Sequence, residues 1–181
     1  MDYEEPLFFE VIQHAAAAER DVIDMVSGSP DWEPPSALRD GLKQYAEAEP
    51  SEFAYPPSEG LRDLREEIAA RRNVSTAQVL ITNGTCEANY LAMARARERD
   101  TGTEAVLIDP VYPYYPGRVS LLGGETRFVA AGSDGTVDPK AVRKAVSDET
   151  AFIAINTPNN PTGAVYDLDA VREVVDVVVP G

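Results

Sequence analysis

The chain has 181 residues, enough to bury roughly 70% of its unfolded surface in one domain with a sizeable core, and fewer than a complete two-domain enzyme needs. Its formal net charge of -15, from 31 acidic and 16 basic residues, is spread along the chain and excludes a nucleic-acid-binding surface. A single cysteine, Cys86, excludes an internal disulfide and fits a reducing compartment.

The first residues, Met1 to Glu5, are acidic and no long apolar stretch follows, so neither a secretory signal nor a membrane span is expected and the protein is read as cytoplasmic. Sequons at Asn73 and Asn83 are then without consequence. Residues 4–20 carry Leu7, Ile12 and an alanine run at helical spacing, and Val22, Ile23, Asp24, Met25 and Val26 predict a short strand. After a turn at Gly28 and Pro30, Ser36 is expected to cap a helix with Leu38, Leu42 and Tyr45 on its apolar side; a second helix follows with Leu61, Leu64 and Ile68. From there the pattern alternates. Strands are expected at 79–82, 105–108, 127–130 and 151–155, and helices at 85–99, 114–122, 138–146 and from about Asp167. Such alternation predicts an α/β fold, a mostly parallel sheet with helices on both faces. The run Val174, Val175, Asp176, Val177, Val178, Val179 ends where a further strand ought to follow, so the sheet is expected to be incomplete, as a fragment or as a part that another chain completes.

Four segments carry chemistry. Asn156-Thr157-Pro158-Asn159-Asn160-Pro161-Thr162-Gly163 follows an apolar strand and sets two prolines and a glycine where that strand ends, a loop able to hold the Asn160 amide at a fixed point. Asn83-Gly84-Thr85-Cys86 lies between a strand pattern and a helix, so its main-chain amides become helix-start donors suited to an anion. An ordinary capped helix has the same look. It is neither a Walker A loop nor a dinucleotide turn, because the lysine and the second and third glycines those need are missing. Cys86 as a nucleophile finds Ala92 where a phosphatase-like arginine would stand, and the one histidine, His14, is far off in sequence. Asp109-Pro110-Val111-Tyr112-Pro113-Tyr114-Tyr115 falls at the carboxyl edge of the sheet, where aromatic rings stack on a flat ligand or simply pack. The fourth, Tyr55-Pro56-Pro57-Ser58-Glu59-Gly60, is a loop tyrosine before a helix.

These segments, in this order, resemble the Asn-Pro-Thr-Gly signature and its companions in the class I/II aminotransferases, fold type I enzymes that use pyridoxal 5′-phosphate (PLP). The resemblance covers essentially the whole chain and about the first half of such an enzyme. It implies residues 1–38 as an N-terminal arm with the start of a small domain, and residues 39–181 as the first part of the PLP-binding large domain. It implies that Asn160 bonds the phenolic oxygen of the cofactor, that Tyr112 stacks on its ring, and that Gly84, Thr85 and Cys86 hold its phosphate. Tyr55 would reach the cofactor of the neighbouring subunit in a homodimer, and Gly28, with Asn160, would lie where the substrate carboxylate docks. The substrates would be an amino acid and a 2-oxo acid. No metal is expected. The family's Schiff-base lysine lies in a later motif than Lys43, Lys140 or Lys144, so no residue of this chain is assigned as catalytic and the isolated chain is expected to be inactive. Another PLP reaction, by a β-lyase or a decarboxylase, and a non-catalytic half that binds a complement, stay open. Abundant Asp and Glu with only three lysines also suit a salt-rich, halophilic cytoplasm, where repulsion between acidic groups is screened.

Overall fold

The computed structural model describes residues 7–25, 27–30, 32–99 and 102–178. Its described residues separate into two compact units: one is Ile12–Thr85, and the other joins the described residues up to Val11 to those from Cys86 onward.

The second unit holds the sheet. Strand β1 (Glu104–Asp109) lies between β2 (Glu125–Ala130) and β3 (Thr150–Ala154), and both neighbours run parallel to it. Ala105, Val106, Leu107 and Ile108 are all buried. Successive side chains of a strand point to opposite faces, so four buried apolar residues in a row require cover on both faces of β1. On one face Val106 and Ile108 join Val129 of β2, Val142 of α6 (Pro139–Ala145) and Val174 of α7 (Leu168–Val178), with Ile153 of β3 packed against them. Full burial of a side chain such as Leu107 is worth about 1.5–3 kcal/mol. Helix α5 (Tyr114–Leu121) connects β1 to β2, and α6 connects β2 to β3. The Asp138 carboxylate accepts from the Lys140 N–H at 2.9 Å and so caps α6; Asp167 does the same for α7 through the Asp169 N–H at 2.8 Å.

In the first unit are α2 (Ser36–Ala46), α3 (Arg62–Arg72) and 3₁₀ turns at Pro50–Phe53 and Thr76–Gln78; α1 (Leu7–Ala16) and α4 (Gly84–Arg97) each run across the division between the units. Four expectations differ from the structure. Val79, Leu80, Ile81 and Thr82 form no regular element and join no sheet among the described residues. Their polar groups are taken locally: Arg65 Nε donates to the Val79 carbonyl at 2.9 Å, and the Ile81 N–H donates to the Glu59 carbonyl at 3.0 Å. The turn at Gly60 lies so close to Ile81 that a Cβ there would come within 2.4 Å of its side chain. Residues 22–25 are likewise irregular, with Asp24 accepting from both the N–H and the hydroxyl of Ser27 in a local turn; Val26 lies outside the described residues. Ser36 is the first residue inside α2 rather than its cap, a place taken by Pro35. The expected N-terminal helix ends its regular part at Ala16, and its residues 4–6 lie outside the described ones. No helix among the described residues is long and apolar enough to cross a membrane.

Candidate functional site

The loops that leave β1 and β3 are tied together by a residue that the sequence did not single out. Asn159 is 5% exposed, and its Nδ2 donates to the Pro110 carbonyl at 3.2 Å, bridging from the β3 loop to the β1 loop. Its Oδ1 accepts from the Thr162 N–H at 3.1 Å and the Thr162 hydroxyl at 2.8 Å. The main chain closes the same turn, with the Asn159 N–H donating to the Ala164 carbonyl and the Gly163 N–H donating to the Asn159 carbonyl. Gly163, at φ 73, supplies the left-handed residue that this closure needs. The Asp109-Pro110, Thr157-Pro158 and Asn160-Pro161 bonds are cis.

Asn160 is held by its backbone, whose N–H donates to Asn156 Oδ1 at 2.7 Å, while its side chain is exposed. The pair divides the work. Asn159 faces inward and sets the loop, and Asn160 presents an amide outward at the carboxyl edge of the sheet. Tyr166, buried under the loop in the core, has its phenol pushed up by burial, an effect that a hydrogen bond with Asn159 partly offsets.

Two residues beyond Pro110, Tyr112 is half-buried in a cluster of rings. Its centroid lies 5.1 Å from Tyr114 and 5.9 Å from Tyr115, the second in an edge-on arrangement. Burial pushes the Tyr112 phenol above its ordinary range, with smaller upward contributions from Tyr114 and Cys86, so the ring is neutral near pH 7. Arg118 of α5, 8% exposed, links this cluster to α4. Its Nε donates to the Cys86 carbonyl at 3.3 Å, its Nη1 to the Tyr114 carbonyl at 3.0 Å, and its guanidinium carbon stands 5.1 Å from the Tyr114 ring centroid.

The structure thus brings Asn160, Tyr112 and Cys86 into one compact unit, with the first two on neighbouring loops. Gly28, Tyr55, Gly84 and Thr85 belong to the other unit, and all four are exposed. Gly84 opens α4 at φ 74, and its carbonyl accepts from the Thr82 hydroxyl at 3.0 Å. Lys43 lies in α2, and Lys140 and Lys144 lie on the exposed side of α6.

A comparison with known families gives a match over residues 20–179 to the model described as aminotransferase class I and II. The chain belongs to that family. Among curated members, the aspartate aminotransferase of Pyrococcus horikoshii is 27% identical over 176 residues, which are 93% of this chain and 44% of that protein. A histidinol-phosphate aminotransferase of Methanocella arvoryzae is 35% identical over 122 residues, 67% of this chain and 33% of that protein. Among solved structures, the aspartate aminotransferase of Thermus thermophilus with maleate superimposes with a TM-score of 0.86 at 26% identity, over 97% of this chain and 48% of that one. The fold is therefore that of the fold type I aminotransferases, in part. The chain spans less than half the length of these relatives.

Proposed function

We propose that this chain is the PLP-binding part of an aminotransferase that moves an amino group from an amino acid to a 2-oxo acid. The observation that carries this reading is the bridge from Asn159 to the Pro110 carbonyl, which fixes the Asn160 loop and the Tyr112 loop to one another at the carboxyl ends of adjacent parallel strands. Three groups of donors and rings support the cofactor reading. Asn160 supplies an outward amide for the phenolic oxygen, the neutral Tyr112 ring supplies a plate for the pyridine, and the Gly84, Thr85 and Cys86 amides with the Thr85 hydroxyl supply donors for the phosphate at the start of a 14-residue helix. By family membership Tyr55 serves the phosphate of a neighbouring subunit in a homodimer, and Gly28, with Asn160, lies where the substrate carboxylate binds. When bound, PLP supplies an electron sink for bonds to the amino acid's α-carbon. The chain's own residues bind and orient; none of its three lysines serves as the amine that captures the cofactor. The proposed setting is cytoplasmic, and the acidic surface is read as halophilic.

A second reading, a half that pairs with a separate complement, is favoured by α2, where Leu38, Leu42 and Tyr45 are all more than half exposed. Incubation of the purified chain with PLP, an amino acid and a 2-oxo acid tests the first reading. The expected result is a saturable change in the PLP spectrum with no amino transfer. Transfer at a measurable rate with no second polypeptide present would contradict the assignment of the lysines, and an unchanged spectrum would contradict the cofactor site.

A further inference from the structure

Arg118 is a buried cation whose hydrogen-bond acceptors are two main-chain carbonyls, of Cys86 and Tyr114. Burying a guanidinium costs several kcal/mol in desolvation, and an apolar side chain would fill the same space on α5 without that cost. What an arginine adds is a planar fork that fixes two partners at once. One arm reaches the first turn of α4 through Cys86. The other holds Tyr114, four residues back on the same face of α5, and the guanidinium lies over the Tyr114 ring, which in turn packs against Tyr112 at 5.1 Å. A continuous path of contacts therefore runs from Cys86 in α4 to the Tyr112 ring, and Arg118 is its joint.

We propose that Arg118 is a positioning residue that sets Cys86 of α4 against the Tyr112 ring, so that a ligand carrying both a phosphate ester and a planar ring is held better than phosphate alone. This role rests on the PLP reading. It predicts a split between two ligands, which a simple loss of packing or of positive charge does not produce.

The test compares the 181-residue chain with Arg118→Gln, measuring PLP affinity by the induced circular dichroism of the bound cofactor and inorganic phosphate affinity by its competition against PLP. Arg118→Gln is expected to weaken PLP by about 10-fold and inorganic phosphate by less than about 2-fold, since one or two hydrogen bonds to the tether are lost while the phosphate donors remain. Equal weakening of both ligands, or of neither, overturns the role. Arg118→Lys keeps the cation but not the fork, so it covers a failure of the glutamine variant to fold; it is expected to show the same split at about 3-fold. Affinities for both ligands like those of the unaltered chain would overturn the role as well. If the unaltered chain binds no PLP, the reading beneath falls and Arg118 falls with it, an outcome distinct from binding that Arg118→Gln leaves intact.

Discussion

Asn159→Ala is expected to lower the unfolding free energy by about 1–3 kcal/mol, because truncation of this buried side chain removes its bonds to the Pro110 carbonyl and to the Thr162 N–H and hydroxyl. The neighbouring substitution, Asn160→Ala, removes an exposed side chain whose backbone keeps its own bond to Asn156, and its expected cost is within about 0.5 kcal/mol. PLP affinity should follow the opposite logic. Asn160→Ala removes a direct donor and weakens the cofactor in a protein of unaltered stability, whereas Asn159→Ala weakens it by loosening the loop. Urea unfolding followed by circular dichroism, read as the change in midpoint at constant slope, checks the stability difference. Comparable midpoints for the two variants would mean that Asn159 does not bridge the loops.

Gly102→Ala is expected to cost about 3–5 kcal/mol, combining overpacking with a left-handed backbone. A Cβ at Gly102 would stand 2.1 Å from the Cα and carbonyl oxygen of Glu149, and the residue sits at φ 42. Backbone cannot yield there cheaply. The Glu149 carbonyl accepts from the Glu104 N–H at 2.7 Å where β1 begins, and the Gly102 carbonyl accepts from Arg97 Nη1 at 2.8 Å. Any shift that relieves the clash therefore breaks the junction of β1 with the approach to β3. Gly41→Ala provides the contrast: it lies inside α2 with open space around it, and the exchange should stabilise by up to about 1 kcal/mol. Thermal or urea melts of the two variants should move in opposite directions, and an unchanged midpoint for Gly102→Ala would contradict the close approach.

The centre of the sheet was legible because β1 is marked by burial that the sequence shows directly. Ala105, Val106, Leu107 and Ile108 form an apolar run with no polar break, as a central parallel strand must. Helices α4 to α7 followed from the same alternation, with each expected end within two residues of the observed one. Val79, Leu80, Ile81 and Thr82 have an equally strand-like composition, yet their backbone partners are Arg65 and the turn before Gly60, and composition does not reveal such local competitors. Within the site, the octapeptide is read as fixing the Asn160 amide, whereas the side-chain amide that the loop holds is that of Asn159, and Asn160 is held by its backbone. That choice is made by Pro110, some fifty residues away in sequence, which no local pattern reports. Arg118 carries no motif of its own in the sequence. Its spacing of four from Tyr114, on a helix that follows the aromatic segment, was the only available signal.

The account depends on one small molecule bringing together an outward amide, a neutral aromatic plate and a set of helix-start donors. Determining the crystal structure of this chain after PLP has been diffused in tests that most directly. The account predicts the Asn160 amide within hydrogen-bonding reach of the phenolic oxygen, the Tyr112 ring stacked on the pyridine, and the phosphate against the main chain at residues 84–86. PLP bound elsewhere, or Asn160, Tyr112 and Gly84 too far apart to touch the same molecule, would contradict it.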